Sequence, residues 1–254
     1  DRVKAAQEAG NKGNFSEAIR VLKEAKVKGP LPLSPQEEQA VNEYLIYAAS
    51  SAKDYKLVLE TVDERLATGR VTGADLVRKL RLKATTLYAT GDYRGAVAAF
   101  NKLIATQGSA TADDLIQLGN AQLVLRDFRA AIPTLEKAVV AAQKAGKPAA
   151  TVGKLLEGLN SSYNETKNDA KRLETLHRLM AVTPKASVFS QLASVYEVKS
   201  KKDPVVMINI YRLGASRGLL SSQHYAKYAE LALDLASPGE AVAMIEKGMA
   251  GGAI

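Results

Sequence analysis

The chain has 254 residues, of which 46% are hydrophobic and 24% charged, a balance typical of a globular protein. It contains no Cys, which excludes disulfides, thiol catalysis and cysteine-based zinc sites. Lys and Arg number 35 against 27 Asp and Glu. Because these residues are spread along the chain, the excess predicts a solvated surface, with an anionic partner as the alternative. No segment reaches the roughly 18 consecutive apolar residues of a membrane span.

Apolar residues recur at helical spacing in pairs of segments, and a short turn joins the two segments of each pair. In chain order the pairs are predicted at 3–12 with 16–26, 36–52 with 56–67, 72–108 around a turn at Gly91-Asp92, 113–125 with 129–145, 149–167 with 170–182, 187–198 with 204–216, and 222–235 with 239–249. A helical hairpin that recurs every 34–40 residues or so is typical of an α-solenoid.

Proline marks several of the predicted helix boundaries. Gly29-Pro30 is expected to end the first pair, because proline cannot continue a helix. Ser34, Pro35 and Glu37 have the spacing of a capping box with proline at the first helical position, which predicts a helix start. Pro133 is expected in the first turn of its helix, where a missing N–H costs little.

The turns share a pattern in which an aromatic residue is followed, three positions later, by a small one. It occurs in Gly13-Asn14-Phe15-Ser16-Glu17-Ala18, Gly91-Asp92-Tyr93-Arg94-Gly95-Ala96 and Arg126-Asp127-Phe128-Arg129-Ala130-Ala131, and in part in Ser237-Pro238-Gly239-Glu240-Ala241. This pattern resembles the turn of the tetratricopeptide repeat. Val58 and Arg172 replace the small residue in the second and fifth pairs, so local geometry is expected to differ there.

The resemblance covers nearly the whole chain and implies an all-α fold, a right-handed α-solenoid of about seven antiparallel helix hairpins. We expect residues 1–254 to form a single such domain, a fragment of a longer chain. In proteins of this family the first helices of the hairpins line a concave groove that commonly holds a peptide or a helix of a partner. The resemblance therefore implies a non-catalytic scaffold for protein–protein interaction.

Helical phase identifies the side chains expected to face that groove, and Tyr and Arg are the types that most often anchor interfaces. The candidate partner-binding residues are Tyr44, Tyr47, Arg78, Arg81, Tyr88, Asn120 and Leu123, and the same phase adds Ile116, Glu157, Ser161 and Asn164. The alternative for each of them is an ordinary exposed helix face.

No catalytic or cofactor motif is found in the sequence. His177 and His224 lie more than one repeat apart, and their spacing does not suggest a metal site. No phosphate-binding loop, Rossmann glycine pattern or nucleophile elbow occurs. We therefore expect no enzyme activity, no cofactor and no metal.

Two other functions stay open at this stage. The groove could carry a small apolar or anionic ligand, which a sealed pocket would favour. Nucleic-acid binding through the basic excess is less favoured, and it predicts an affinity that falls steeply with salt.

Location and self-association are predicted from weaker signals. The Ala-rich, Cys-free composition favours a bacterial exported or periplasmic protein over a cytoplasmic one. The last predicted repeat, around 241–254, is expected to expose an apolar end, which predicts self-association there; cover by further sequence is the alternative.

Overall fold

A computed structural model describes residues 2–27 and 33–252, and these residues form fourteen α-helices. Their bounds are α1 Arg2–Asn11, α2 Phe15–Val27, α3 Pro35–Ser51, α4 Tyr55–Ala67, α5 Gly73–Ala89, α6 Tyr93–Gln107, α7 Ala112–Val124, α8 Phe128–Lys144, α9 Ala149–Glu165, α10 Asp169–Val182, α11 Ala186–Lys199, α12 Pro204–Ser216, α13 Ser222–Asp234 and α14 Pro238–Ala250. The prediction of an all-α fold of consecutive helix hairpins is confirmed. The predicted stop at Gly29-Pro30 lies outside the described residues.

The chain divides into two compact units, Asp1–Arg126 with α1–α7 and Asp127–Ile254 with α8–α14. Within each unit, every helix packs against the next one along the chain. In the first unit, first helices also touch one another, α1 with α3 and α5 with α7. That residues 1–254 behave as a single domain stays a prediction.

The predicted capping box at the start of α3 is present. The Ser34 hydroxyl accepts a hydrogen bond from the Glu37 N–H at 3.3 Å, and the Glu37 carboxylate accepts one from the Ser34 N–H at 2.9 Å. Pro35 follows as the first helical residue. Two N–H groups that the helix leaves unpaired are thus satisfied by local sequence alone.

The turns inside the hairpins share one backbone conformation. A residue with positive φ is followed by a polar residue, and the second helix then begins; the positive-φ residues are Gly13, Lys53, Gly91, Arg126, Lys167, Lys202 and Ala236. In six of these turns the polar residue, Asn or Asp, accepts a hydrogen bond from the N–H three residues later, at 2.9–3.2 Å. The turn therefore both reverses the chain and caps the second helix.

Replacing Lys53 by Gly is expected to stabilise the protein by about 0.5–1 kcal/mol. Lys53 has φ of 57°, a left-handed conformation that costs a residue with a side chain about 1–2 kcal/mol, partly offset by the greater freedom of Gly in the unfolded chain. Urea unfolding would measure the change. Gly91→Ala, at the equivalent position with φ of 82°, is the reciprocal variant and should lose stability; a gain would contradict the assignment.

The small residues of the repeat pattern are buried near the start of the second helix of each hairpin. Ala18, Ala96 and Ala131 have no exposed surface, and Ala241 is 4% exposed. Large apolar residues four positions further on, such as Phe100 and Leu135, are fully buried in the core. Burial of about 25 cal/mol per Å² of apolar surface is the main stabilising term of such hairpins.

Val58 and Arg172 depart from this pattern in different ways. Val58 is 1% exposed and packs in the core with α1–α4, so the crossing accommodates a larger apolar residue. Arg172 is half-buried in α10. Only the second departure brings a charged group to a helix crossing.

The prediction for Pro133 is wrong. Pro133 is the sixth residue of α8, which begins at Phe128, and so lies beyond the first turn. Its ring nitrogen cannot donate to the Arg129 carbonyl, one α-helical hydrogen bond is missing, and the residue is tolerated at an exposed position. The helix nevertheless continues to Lys144.

Candidate binding surface

In the first unit, side-chain contacts tie the first helices of successive hairpins together. The Tyr44 hydroxyl of α3 donates to the Gln7 carbonyl of α1 at 3.4 Å, and Lys79 of α5 pairs with Glu43 of α3 at 2.6 Å. Arg81 of α5 pairs with Asp114 of α7. We call the surface formed by α1, α3, α5 and α7 the first-helix face.

An aromatic patch lies at the α1–α3 end of this face and consists of Tyr44 and Tyr47 of α3 together with Phe15, the first residue of the second helix α2. The Tyr47 ring centroid lies 5.4 Å from that of Tyr44 and 6.1 Å from that of Phe15, the latter in an edge-on arrangement. Tyr47 is 53% exposed, whereas Tyr44 and Phe15 are half-buried. The patch thus presents one solvent-exposed ring held in place by two packed ones.

Gly10 explains how Tyr44 reaches its place. A Cβ at Gly10 would collide with the Tyr44 hydroxyl oxygen and lie 3.3 Å from Cζ, so the phenol lies directly against the backbone of α1. Burial raises the pKa of the Tyr44 hydroxyl, and proximity to Tyr47 adds to the effect. Tyr44 is therefore a neutral donor that joins α1 to α3.

The two candidate arginines of α5 have different environments. Arg78 has 73% of its side chain exposed and pairs with Asp75 in the preceding turn at 2.9 Å. Arg81 donates from Nε and Nη2 to the two carboxylate oxygens of Asp114, each at 2.9 Å, and also to Gln107. Arg78 is open to a partner, whereas the guanidinium of Arg81 already joins α5 to α7.

Asp114, the partner of Arg81, is held as a carboxylate. Its side chain is 3% exposed, and it also accepts a hydrogen bond from the Thr111 N–H in a capping box. Burial by itself would raise the pKa of Asp114, but the hydrogen bonds from Arg81 and Thr111 outweigh burial and hold the pKa below 3.8.

The other candidates lie on the first helices but make fewer contacts. Tyr88 is half-buried near the end of α5, and its ring lies edge-on to Tyr93 with centroids 5.5 Å apart. Asn120 and Leu123 of α7 are half-buried, as is Ile116. The structure thus brings Tyr44 and Tyr47 together in one patch; for Arg78, Tyr88, Asn120 and Leu123 it gives only a place on the same set of helices.

Two residues that contribute to this surface were not predicted from the sequence. Phe15 was assigned only to the hairpin turn, yet it also contacts Tyr47. Asp114 lies in the first turn of α7 and is also the partner of Arg81, 33 residues earlier. A separation close to one repeat between a basic and an acidic residue was the available signal.

In the second unit, the candidate groove residues Glu157, Ser161 and Asn164 are exposed on α9. Glu157 accepts a hydrogen bond from Lys185 at 2.9 Å. Elsewhere in this unit, the Glu240 carboxylate accepts hydrogen bonds from Arg212 and from the Tyr228 hydroxyl. These hydrogen bonds lower the pKa of Glu240 to about 2. These contacts tie α12, α13 and α14 together.

The two histidines have structural environments. His177 is exposed, with Nε2 3.0 Å from the Tyr196 hydroxyl. His224 is 9% exposed, contacts the rings of Phe189 and Tyr211, and accepts a hydrogen bond at Nδ1 from the Ser221 N–H. Within residues 2–27 and 33–252, no group of three or more His, Asp or Glu could hold a metal ion.

The stability of the protein is expected to fall as the pH is lowered below about 6.5. Burial lowers the pKa of His224 below its usual 6.5, and Lys227 adds to the lowering while Glu197 opposes it. The unfolded chain therefore takes up a proton first as the pH falls, so the folded state loses stability in that range. Thermal unfolding at pH 7.5 and 5.5 would measure the loss.

His224→Gln is the matched control for that prediction. Gln does not titrate and can keep the capping acceptor at the third helical position. The variant should lose less stability than the wild type between pH 7.5 and 5.5. Equal losses in both proteins would show that another group is responsible.

Each unit contains a cleft large enough for a small group. In the first unit a cleft of about 420 Å³ lies between α4, α5 and α6, with Leu66, Leu80 and Ala99 in its wall. The second unit has a cleft of about 380 Å³ between α10 and α11. Among the described helices, none is long and apolar enough to cross a membrane.

Comparison with known proteins identifies the fold. No protein-family model matches the chain, and no curated protein sequence matches it. Many solved structures resemble it, and three of them illustrate the low sequence identity. A tetratricopeptide repeat protein from Parabacteroides merdae is 14% identical and matches 98% of this chain and 91% of its own, with a TM-score of 0.50.

Two other structures resemble the chain to a similar degree. YrrB, described as a TPR protein with an unusual peptide-binding site, is 15% identical over 87% of this chain and 93% of its own, with a TM-score of 0.50. MamA from AMB-1 is 17% identical over 70% of this chain and 87% of its own, with a TM-score of 0.51. The described residues form fourteen helices that pack consecutively within each unit, and this chain has the tetratricopeptide-repeat fold.

Proposed function

We propose that the protein is a non-catalytic scaffold that binds a peptide or a segment of a partner protein on the first-helix face of its first unit. The aromatic patch is the anchor, and Arg78 is a second contact. Half-buried Tyr88, Asn120 and Leu123 extend the same face along α5 and α7. Arg81 supports the face from within, because its guanidinium is bound by Asp114 and Gln107.

The exposed ring of Tyr47 is the observation that supports this proposal most directly. A tyrosine that is 53% exposed yet fixed by two neighbouring rings offers a rigid apolar surface with a polar tip. Such side chains dominate the binding energy of protein interfaces, and little entropy is lost when an already ordered ring is covered. YrrB, which has this fold, is described as having a peptide-binding site.

The test begins with peptides selected from a random display library against the wild-type protein. Affinities of the selected peptides are then measured by fluorescence anisotropy. Tyr47→Ala is expected to weaken binding at least about tenfold, which is the loss typical of an interface anchor. Arg78→Ala should weaken it by about two- to fivefold, because a surface ion pair contributes less.

Tyr55→Ala is the matched control, since Tyr55 is also a partly exposed tyrosine, at 38%, but lies on the second helix α4. It should leave the affinity unchanged. If Tyr55→Ala weakened binding as much as Tyr47→Ala, or if Tyr47→Ala had no effect, the first-helix face would not be the binding surface.

Two alternatives make different predictions. A carrier of small ligands would use one of the two clefts rather than the first-helix face. Nucleic-acid binding predicts an affinity that falls steeply between 50 and 200 mM salt. Several basic residues are engaged in ion pairs, among them Lys26 with Glu64 and Lys83 with Asp63, which favours the protein partner.

We also propose self-association through α14. Val242, Ile245 and Met249 are 57%, 37% and 64% exposed. Ile245 lies four residues after Ala241, whereas Leu22 and Phe100, four residues after Ala18 and Ala96, have no exposed surface. The position is therefore one that inner repeats cover. Ile245→Glu should convert any dimer to monomer in sedimentation analysis; a wild-type monomer at high concentration would contradict the proposal.

An exported bacterial location is part of the proposal, because a Cys-free chain cannot be misoxidised in a periplasm. Fractionation of source cells would test it. Recovery with cytoplasmic markers would contradict it.

A further inference from the structure

Arg172 occupies a place that four other repeats give to alanine. In the hairpin register it corresponds to Ala18, Ala96, Ala131 and Ala241, which are at most 4% exposed. A long cationic side chain at a tight helix crossing has no packing rationale, because a small residue lets the two helices approach. The substitution therefore calls for another explanation.

One donor of the half-buried Arg172 side chain lacks a hydrogen-bond partner. Its Nε is shielded from solvent and has no hydrogen-bond acceptor within the part of the chain that the structure describes. Neighbouring cations of α10 are satisfied: Lys171 bonds to Glu174 at 2.8 Å and Arg178 to Glu136 at 3.1 Å. An unsatisfied buried donor costs about 1–3 kcal/mol, more when charged.

Arg172 also forms part of the wall of the cleft between α10 and α11. The cleft measures about 380 Å³ and is lined by Asp169, Ala170, Arg172, Leu173, Ser194, Val195, Val198 and Lys199. Its apolar side includes Val198, which is 79% exposed. Arg172 and Lys199 contribute two positive charges against the single carboxylate of Asp169.

We propose that this cleft binds a carboxylate attached to a short apolar chain. The guanidinium of Arg172 pairs with the carboxylate, and the apolar chain lies against Leu173, Val195 and Val198. A guanidinium matches a carboxylate with two parallel hydrogen bonds, which is the geometry that Arg provides and Lys does not. A dianionic phosphate is disfavoured, because the wall carries only one net positive charge and is largely apolar.

The size of the cleft determines the length of the ligand to be tested. A volume near 400 Å³ is at the small end of ligand sites, which suits a chain of about six carbon atoms. Hexanoate is the first probe, and hexanamide, which has the same shape without the charge, is its control. Backbone amide shifts in α10 and α11, followed by NMR during titration, report binding.

Hexanoate is expected to shift amides of α10 and α11, and hexanamide to bind at least about tenfold more weakly. Arg172→Ala should weaken hexanoate binding at least about tenfold, and Arg172→Lys should weaken it about fivefold. Lys171→Ala, which removes the same charge from the adjacent position, should leave it unchanged. Inorganic phosphate should bind more weakly than hexanoate.

A second experiment tests whether the bound carboxylate belongs to a small acid or to the C-terminus of a peptide. Acetyl-Ala-Leu with a free carboxylate is compared with its amide. Tighter binding of the free peptide than of hexanoate assigns the cleft to a chain terminus, and the reverse assigns it to a small acid. Absence of hexanoate-dependent shifts, or equal affinity for hexanoate and hexanamide, would overturn the proposal.

Stability separates a binding role from a structural one. Without ligand, Arg172→Ala should raise the unfolding temperature by about 2–4 °C, because it restores the small crossing residue and removes the unpaired donor. A lower unfolding temperature would mean that Arg172 supports the fold, and it would overturn the assignment. The outcome is independent of the peptide test at Tyr47, since Tyr47 and Arg172 belong to different units.

Discussion

Replacing Arg81 by Met is expected to destabilise the protein by about 2–3 kcal/mol at neutral pH. Asp114 would keep its charge in a place where 3% of its side chain is exposed, but it would lose both hydrogen bonds from the guanidinium. Removing one partner of a buried pair is costly because the other charge is left uncompensated. Breaking a fully buried ion pair costs about 3–5 kcal/mol. We expect a smaller loss here because 34% of the Arg81 side chain is exposed.

The pH dependence gives this prediction a second test. The pKa of Asp114 lies below 3.8 in the folded protein, so the stability that its charge provides is present above that pH and is lost as the pH falls through the lowered pKa. The difference between wild type and Arg81→Met should be largest at neutral pH. It should shrink in acid, as Asp114 takes up a proton first in the variant, which lacks the guanidinium, and then in the wild type. Chemical unfolding at several pH values would measure it.

Arg78→Met is the matched control for Arg81→Met. Arg78 lies three residues earlier on α5 and its ion pair with Asp75 is largely exposed, so the variant should change stability by less than about 0.5 kcal/mol. Arg81→Met combined with Asp114→Asn should be more stable than Arg81→Met alone. Equal stability of Arg78→Met and Arg81→Met would show that the Asp114 pair contributes little.

Replacing Gly214 by Ala is expected to cost about 2 kcal/mol, although Ala is the better helix former. Gly214 is buried in α12, and a Cβ there would collide with the Phe189 ring and lie 2.5 Å from the Leu220 side chain. Phe189 is fully buried and contacts Tyr211 and His224, so its ring has no free space into which to move.

Non-additivity with Phe189→Leu tests the cause. The ring atoms that a Cβ at Gly214 meets are Cζ and Cε2 of Phe189, and leucine lacks both. The double variant should therefore lose about 1 kcal/mol less than the sum of the two single losses. Thermal and urea unfolding would provide the values. Additive losses would mean that Leu220 or the helix backbone, not the ring, sets the cost.

The helices could be predicted because their signals are local. Ser34 and Glu37 lie three residues apart, and the bond between them depends only on the start of one helix. The turn residues and the alanines at the helix crossings are equally local. Pro133 was misplaced because it is the sixth residue of α8, and it would be the fifth residue of a helix that began at 129; both positions lie beyond the first turn.

The contacts between repeats could not be predicted in the same way. Arg81 meets Asp114 because of the stagger between α5 and α7, which no single hairpin encodes. Helical phase predicts Tyr44 and Tyr47 on one helix face, and their ring centroids lie 5.4 Å apart. It did not show that Tyr44 packs on Gly10 while Tyr47 stays exposed, because that depends on the distance between α1 and α3.

Amide hydrogen exchange with a selected peptide bound tests the central claim most directly. If the first-helix face binds the peptide, protection should increase in α1 and α3, at 2–11 and 35–51, and stay unchanged in the second helix α4, at 55–67. The increase should disappear in Tyr47→Ala. Protection confined to α4 and α6, with α3 unchanged, would contradict the account and move the binding surface to the second helices.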